Sequence, residues 1–218
     1  MTTSKTRSVA SRQPRGTYRH GDLRRALVDA GIALARGGGP DAVVLREATR
    51  RAGVVPNAAY RHFESRDELL QAVRAAALNA LALAMVDELR RLRPLGDEVA
   101  YARANLRAIG AAYIAFAQNE SGLFRTAFAG VALVAHTPVG GGEAHASPGP
   151  FQLLGAALDL LVSAGALPLE RRPGAEYLAW SAVHGLSMLV IDGPLRQLTR
   201  HDRARVTRAL LDMVEKGL

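Results

Sequence analysis

The sequence predicts an all-α fold of about nine helices, arranged as a three-helix head followed by a larger helical body. Three observations predict it. Apolar residues recur at spacings of three and four through most of the 218 residues, as in Leu23, Ala26, Leu27, Ala30 and Leu34. No stretch sustains the alternation of apolar and polar residues that marks a half-buried strand. Glycine and proline cluster where the periodic segments stop, as at 37–40 and 192–194.

Each element has a local reason. Residues 1–17 are rich in Ser, Thr and Arg without periodicity, so a disordered basic arm is expected, with order beginning near Tyr18. Asp22 is a candidate N-cap for a first helix over Leu23–Arg36, stopped by Gly37, Gly38, Gly39 and Pro40. A second helix is expected over Leu45–Ala52, closed by Gly53 in a left-handed turn. Pro56 suits the first position of a third helix, because its missing N–H would be unpaired there anyway. That helix is expected to reach about His62. Ser65-Arg66-Asp67-Glu68 has the form of a capping box and opens a long fourth helix to about Leu92, ahead of Pro94.

The body continues in the same way. Asp97 to about Gln118 carries Leu106, Ile109, Tyr113 and Phe116 at helical spacing. A short helix follows over Leu123–Phe128. Residues 136–150, rich in Gly, Pro, His and Ser, are expected to form a mobile loop. Further helices are expected over Phe151–Ala164, Gly174 to about Ile191, and His201–Lys216.

Composition narrows the function. There is no cysteine, which removes disulfides, thiolate nucleophiles and cysteine-bound metals. The N-terminus lacks the apolar core of a secretory signal, and the apolar runs, such as Ala75–Met85, fall short of a membrane span or are amphipathic. A soluble cytoplasmic protein without a membrane partner is expected. The net charge of +8 is unevenly placed. Residues 1–64 hold 12 Lys plus Arg against five Asp plus Glu, and residues 65–218 hold 16 against 15. A basic head on a near-neutral body fits a polyanion-binding module carrying a second function.

The stretch "RRAGVVPNAAYRHF", from Arg50 to Phe63, gives that head a geometry. Gly53-Val54-Val55 is a tight turn between two short helices. Val54, with Ala48, Ala52, Ala59 and Phe63, can fill the angle between them. This is helix-turn-helix spacing, which presents the outer face of the third helix to a DNA major groove. Asn57 and Arg61 lie one turn apart, with Ala58 beside them and Tyr60 and His62 flanking. Asn pairs with adenine edges, Arg with guanine or phosphate, and Tyr with phosphate. Arg66 and the free N–H groups at the start of the fourth helix, and Tyr18, Arg19 and His20 at the first, suit further phosphates. Arg46 opens the second helix, where a cation opposes the helix dipole and gains from a phosphate partner, with Glu47 beside it.

The segment from Tyr18 to Leu70, above all "LREATRRAGVVPNAAYRHFESRDELL", resembles the DNA-binding domain of TetR-family transcriptional regulators. The shared features are the glycine-valine turn, the proline-led helix, the aromatic-x-His-Phe ending and the Ser-basic-x-Glu-Leu-Leu start of the fourth helix. The resemblance divides the chain into a DNA-binding domain at 18–66 and a ligand-binding and dimerisation body at 67–218. It places Val55, Pro56, Asn57, Ala58, Tyr60, Arg61 and His62 at DNA. Where the family favours Ser or Thr, this chain has Val55 ahead of the third helix and Val44 ahead of the second. Val55 forgoes a cap worth about 1 kcal/mol and a possible phosphate contact.

A second likeness lies in "WSAVHGLSMLVIDGPL", from Trp180 to Leu195, which is similar to the Trp-x3-His-Gly signature of one C-terminal domain class in that family. The resemblance implies a homodimer through the last two long helices, a double-stranded DNA operator with two-fold symmetry, and a small-molecule effector whose binding releases a repressor. Candidate pocket residues are Tyr101, Leu106, Tyr113, Phe116, Phe124, Phe128, Phe151, Trp180 and His184; as an ordinary core they would need no ligand.

Other classes fare worse. His136 and His145 lack ligand spacing, Asp192-Gly193-Pro194 reads as a turn, and no HExxH, P-loop or GxSxG is present, so no catalytic residue, metal or cofactor is assigned. Stacking aromatics for RNA are scarce. Two alternatives remain: a DNA-binding dimer answering to a protein partner or to no ligand, and a helical small-molecule carrier that does not bind DNA.

Overall fold

The computed structural model describes residues 20–93, 96–130 and 148–218, with side chains from residue 23 onward. Among these residues there are nine α-helices and no strand: α1 (His20–Gly38), α2 (Leu45–Ala52), α3 (Pro56–Ala59), α4 (Arg66–Arg91), α5 (Glu98–Asn119), α6 (Ser121–Phe128), α7 (Pro150–Ser163), α8 (Ala175–Ile191) and α9 (Arg200–Gly217). Three 3-10 turns, at Pro40–Ala42, Leu169–Arg171 and Pro194–Gln197, complete the order.

The head is α1–α3 packed on the start of α4. Leu27, Val43, Ala48, Ala59, Phe63 and Leu69 are wholly buried there. Phe63 also receives the Arg24 guanidinium over its ring, 5.0 Å from the centroid. Helix α1 opens at His20, so Asp22 falls inside its first turn rather than ahead of it. Helix α3 ends at Ala59, three residues short of the expectation, and Tyr60–His62 continue as a turn. The chain bends there because Phe63 must enter the core and Ser65 must start a new helix. Ser65 Oγ accepts from the Glu68 N–H at 3.2 Å, and the Glu68 carboxylate accepts from the Glu64 N–H at 2.7 Å. The capping box is therefore present, with its return bond one residue earlier than the standard form.

By length and composition alone, α4 is apolar enough to cross a membrane, contrary to the expectation that no apolar run reaches that length. In this fold its apolar stripe (Leu69, Val73, Ala77, Leu81, Ala82 and Met85) is buried against the helices around it. Helix α4 contacts α1, α5, α6 and α7, and so joins head to body without a break. Asp97 caps α5, its carboxylate accepting from the Val99 and Ala100 N–H groups. Helix α5 is the spine of the body and meets α4, α6, α7, α8 and α9. Arg107 bonds Asp212 and, with Arg103, lies near Glu215, tying α9 to α5. The residues expected to form an arm, Pro94, and most of the 136–150 loop, His136 and His145 included, lie outside the described residues.

Candidate nucleic-acid interface and the aromatic cluster of the body

Gly53 makes the turn at φ 68° and ψ 28°, a left-handed conformation that a side chain would strain. Its N–H bonds Arg50 and Thr49 carbonyls, and Val54 bonds the Thr49 carbonyl at 3.1 Å. Thr49 is buried and returns its hydroxyl to the Arg46 carbonyl at 2.6 Å. These bonds close α2 and shape the turn that leads into α3. Beyond the turn, Val55, Pro56, Asn57, Tyr60 and Arg61 are all exposed, as is Arg46 on α2. Among the described residues of α3 and its turn, that row combines a bidentate amide, a guanidinium and a phenol on a surface without a carboxylate between them.

Several sequence assignments fall elsewhere. Ala58 is half-buried against the core, so its small size serves the packing of α3 on the head. His62 is half-buried. Arg66 is exposed and donates to the carbonyls of Val43 at 3.0 Å and Pro40 at 2.8 Å, with Asp41 and Asp67 nearby. It staples the α1–α2 connection to α4. At the start of α4, Ser65 Oγ takes the Glu68 N–H, and Asp67 and Glu68 place negative charge in the first turn. Arg46 lacks Glu47 as a partner, because Glu47 pairs with Arg50 at 2.9 Å, and that bond holds its carboxyl below the usual value. Tyr18 and Arg19 lie outside the described residues.

The body carries a second constellation. Tyr113 of α5, Phe124 and Phe128 of α6, Phe151 of α7, and Trp180 and His184 of α8 form one connected cluster of rings. Phe128 and His184 meet edge to face at 4.8 Å. The polar atoms are ordered by a simple constraint. Trp180 Nε1–H can only donate, and it donates to the Tyr113 hydroxyl at 3.0 Å. Burial pushes the Tyr113 phenol well above its ordinary pKa, so it keeps its one proton. The hydroxyl also shares a hydrogen bond with His184 Nδ1, 2.8 Å away, whose direction follows the histidine tautomer. Burial also lowers the His184 pKa, which favours the neutral ring.

Tyr113 and Phe124 are buried, while Phe128, Phe151, Trp180 and His184 are half-buried and keep part of their surface open. Of the other pocket candidates, Leu106 and Phe116 are buried in the core. Tyr101 lies three turns up α5 from Tyr113 and takes no part in the cluster's ring contacts.

Helix α6, expected over Leu123–Phe128 and observed over Ser121–Phe128, joins the two constellations, and that joining role was not legible in the sequence. Helix α6 carries Phe124 and Phe128 into the cluster. Its Gly122 sits against the carbonyls of Ala35 and Arg36 at the end of α1, where a Cβ would overlap them. Glu120 accepts from Arg36 Nε at 3.0 Å. At its other end, the Ala127 carbonyl accepts from Arg74 Nε of α4 at 2.9 Å. The only sequence signal was a glycine at the second position of a short helix.

Residues 106–214 match the family model described as "Tetracyclin repressor-like, C-terminal domain", and residues 27–73 match that of "Bacterial regulatory proteins, tetR family". No curated protein matches the chain. Among solved structures it is similar to a protein of unknown function from Rhodococcus sp. RHA1, at 24% identity and TM-score 0.68, over 94% of this chain and 99% of that one. It is similar to the transcriptional regulator FadR from Bacillus subtilis in complex with stearoyl-CoA, at 11% identity and TM-score 0.60, over 89% and 98%. It is also similar to RolR in complex with resorcinol, at 16% identity and TM-score 0.53, over 89% and 88%. At these identities the likenesses concern the fold.

Proposed function

The chain belongs to the tetR family of bacterial regulatory proteins and is a DNA-binding transcriptional regulator rather than an enzyme, and from that premise we propose that it is a dimeric repressor released from its operator by a small apolar ligand. The observation that carries the DNA half is the exposed row Asn57, Tyr60 and Arg61 just beyond the Gly53 turn, at the basic end of the chain. Residues 18–66 act as the reading head and 67–218 as the sensing and dimerising body, with α4 shared between them. The protein works in the cytoplasm, where its operator is.

The dimer forms through α8 and α9. Leu178 and Leu189 of α8 and Met213 of α9 are exposed in the single chain, and Gly185 faces open space between the two leucines. A second copy against this surface sets the two α3 helices near one helical repeat apart, about 34 Å. Trp180, His184 and Gly185 fit the Trp-x3-His-Gly class of body: two of the three serve the cluster and the glycine serves the interface.

The ligand site is the cluster around His184. It offers half-buried ring faces and one polar ring nitrogen, His184 Nε2, with no Lys or Arg among the described rings. This favours an uncharged, flat or acyl-chain molecule bearing a single hydrogen-bonding group. FadR's stearoyl-CoA and RolR's resorcinol are examples of how different the ligands of such bodies are. Helix α6 links this site to α1 and α4, so a ligand that displaces Phe128 shifts the head, and ligand and DNA oppose each other by linkage. The reading in which the body answers to no ligand predicts no stabilisation by any compound; a carrier predicts ligand binding without DNA binding. Selection from a random DNA pool, followed by a thermal-shift screen of neutral aromatic and acyl compounds, separates the three.

A further inference from the structure

Three of the described helices are capped by a side chain: Ser65 caps α4, Asp97 caps α5 and Thr199 caps α9. The two helices of the reading motif are not, and neither are α6, α7 and α8. Val44 precedes α2 and Val55 precedes α3, and neither makes a side-chain cap bond. Both valines are exposed, Val55 by 68%, among the most exposed large apolar side chains of the described chain. A β-branched apolar side chain in water at a helix start forgoes the cap bond that Ser65, Asp97 and Thr199 give α4, α5 and α9. Val55 stands two residues before Asn57 and is continuous with the exposed row that ends at Arg61.

The base edges of the major groove present one apolar group, the 5-methyl of thymine. We infer that Val55 contacts a thymine methyl in each half-site and so fixes one base of the recognised sequence. The inference rests on the DNA-binding reading and adds the identity of one base and the side chain that selects it. Asn57 and Arg61 supply hydrogen bonds to neighbouring edges, whereas Val55 supplies discrimination against cytosine, which lacks the methyl.

The first arm of the test acts on the DNA alone, and the second uses a variant at an exposed position. The full chain is used to select duplexes from a random pool, and each thymine of the enriched site is then replaced by deoxyuridine, which deletes only the methyl. One position per half-site is expected to weaken binding about four-fold, and about 15-fold when both half-sites are changed, from the transfer of one carbon and the tenfold constant. Val55→Ala is expected to bind the thymine and uracil duplexes equally. Val55 is exposed, so its melting temperature should match the parent. Uracil at every position binding like thymine, or an equal uracil penalty in the parent and Val55→Ala, overturns the inference. A pool with no enriched sequence instead removes the DNA-binding reading, and the Val55 inference with it.

Discussion

The head and the body place their chemistry at opposite distances along the chain. In the head, the turn, the helix start and the outward row all lie within the 14 residues from Arg50 to Phe63, and each is set by its neighbours. In the body, the decisive bonds join Tyr113 to His184, 71 residues on, and Trp180 to Tyr113, 67 apart. A head built this way keeps its shape through local locks. A body built this way changes shape when one distant partner moves, and α6 stands where that movement meets α1 and α4.

The largest effect is expected at the proposed dimer surface. Leu189→Glu puts a charge on an exposed position, so each chain should stay folded while dimer and DNA affinity are lost together, by on the order of 100-fold or more. Sedimentation and DNA titration on the same sample check it; a folded monomer that binds DNA normally would detach the head from the body in this account. Next is Gly122→Val, whose side chain has no room against the carbonyls of Ala35 and Arg36. It should cost about 1–3 kcal/mol or more in denaturant unfolding, since α6 and α1 must separate. Arg61→Ala should weaken DNA binding by about 1–3 kcal/mol with an unchanged melt. Tyr113→Phe strands the Trp180 N–H and His184 Nδ1 and should lower stability by about 1–3 kcal/mol while sparing the DNA face.

The smallest effect is a pH dependence. Burial lowers the His184 pKa below that of the unfolded chain, about 6.5. The unfolded state then takes up more protons, so stability is present above that value and is lost as pH falls through the folded pKa. The melting-temperature gap between the parent and His184→Gln should change between pH 8 and pH 5, with the parent losing more. A gap independent of pH would mean that His184 titrates alike in both states.

Legibility followed the same divide. The second helix, the Gly53 turn, the Pro56 start and the Ser65 cap were readable because each is a neighbour-to-neighbour signal. The end of α3 was not, since it is set by Phe63 entering a core made by other helices. Arg66 was assigned to phosphate from its place at the start of the fourth helix; its bonds to Pro40 and Val43 were not legible, because they lie 26 and 23 residues away. Aromatic residues of the body could be named but not sorted. Tyr101 and Tyr113 share a helix, and only the packing of α6 and α8 decides which of them meets His184.

The central claim is that the outward row of α3 reads duplex DNA. The most direct measurement is base-resolved protection of a duplex selected from a random pool, with the parent chain and with Asn57→Ala and Arg61→Ala. The account predicts a two-fold symmetric protected site whose base preference relaxes at a different position in each variant. Selection of no sequence by the parent, or the same preference in all three proteins, would contradict it.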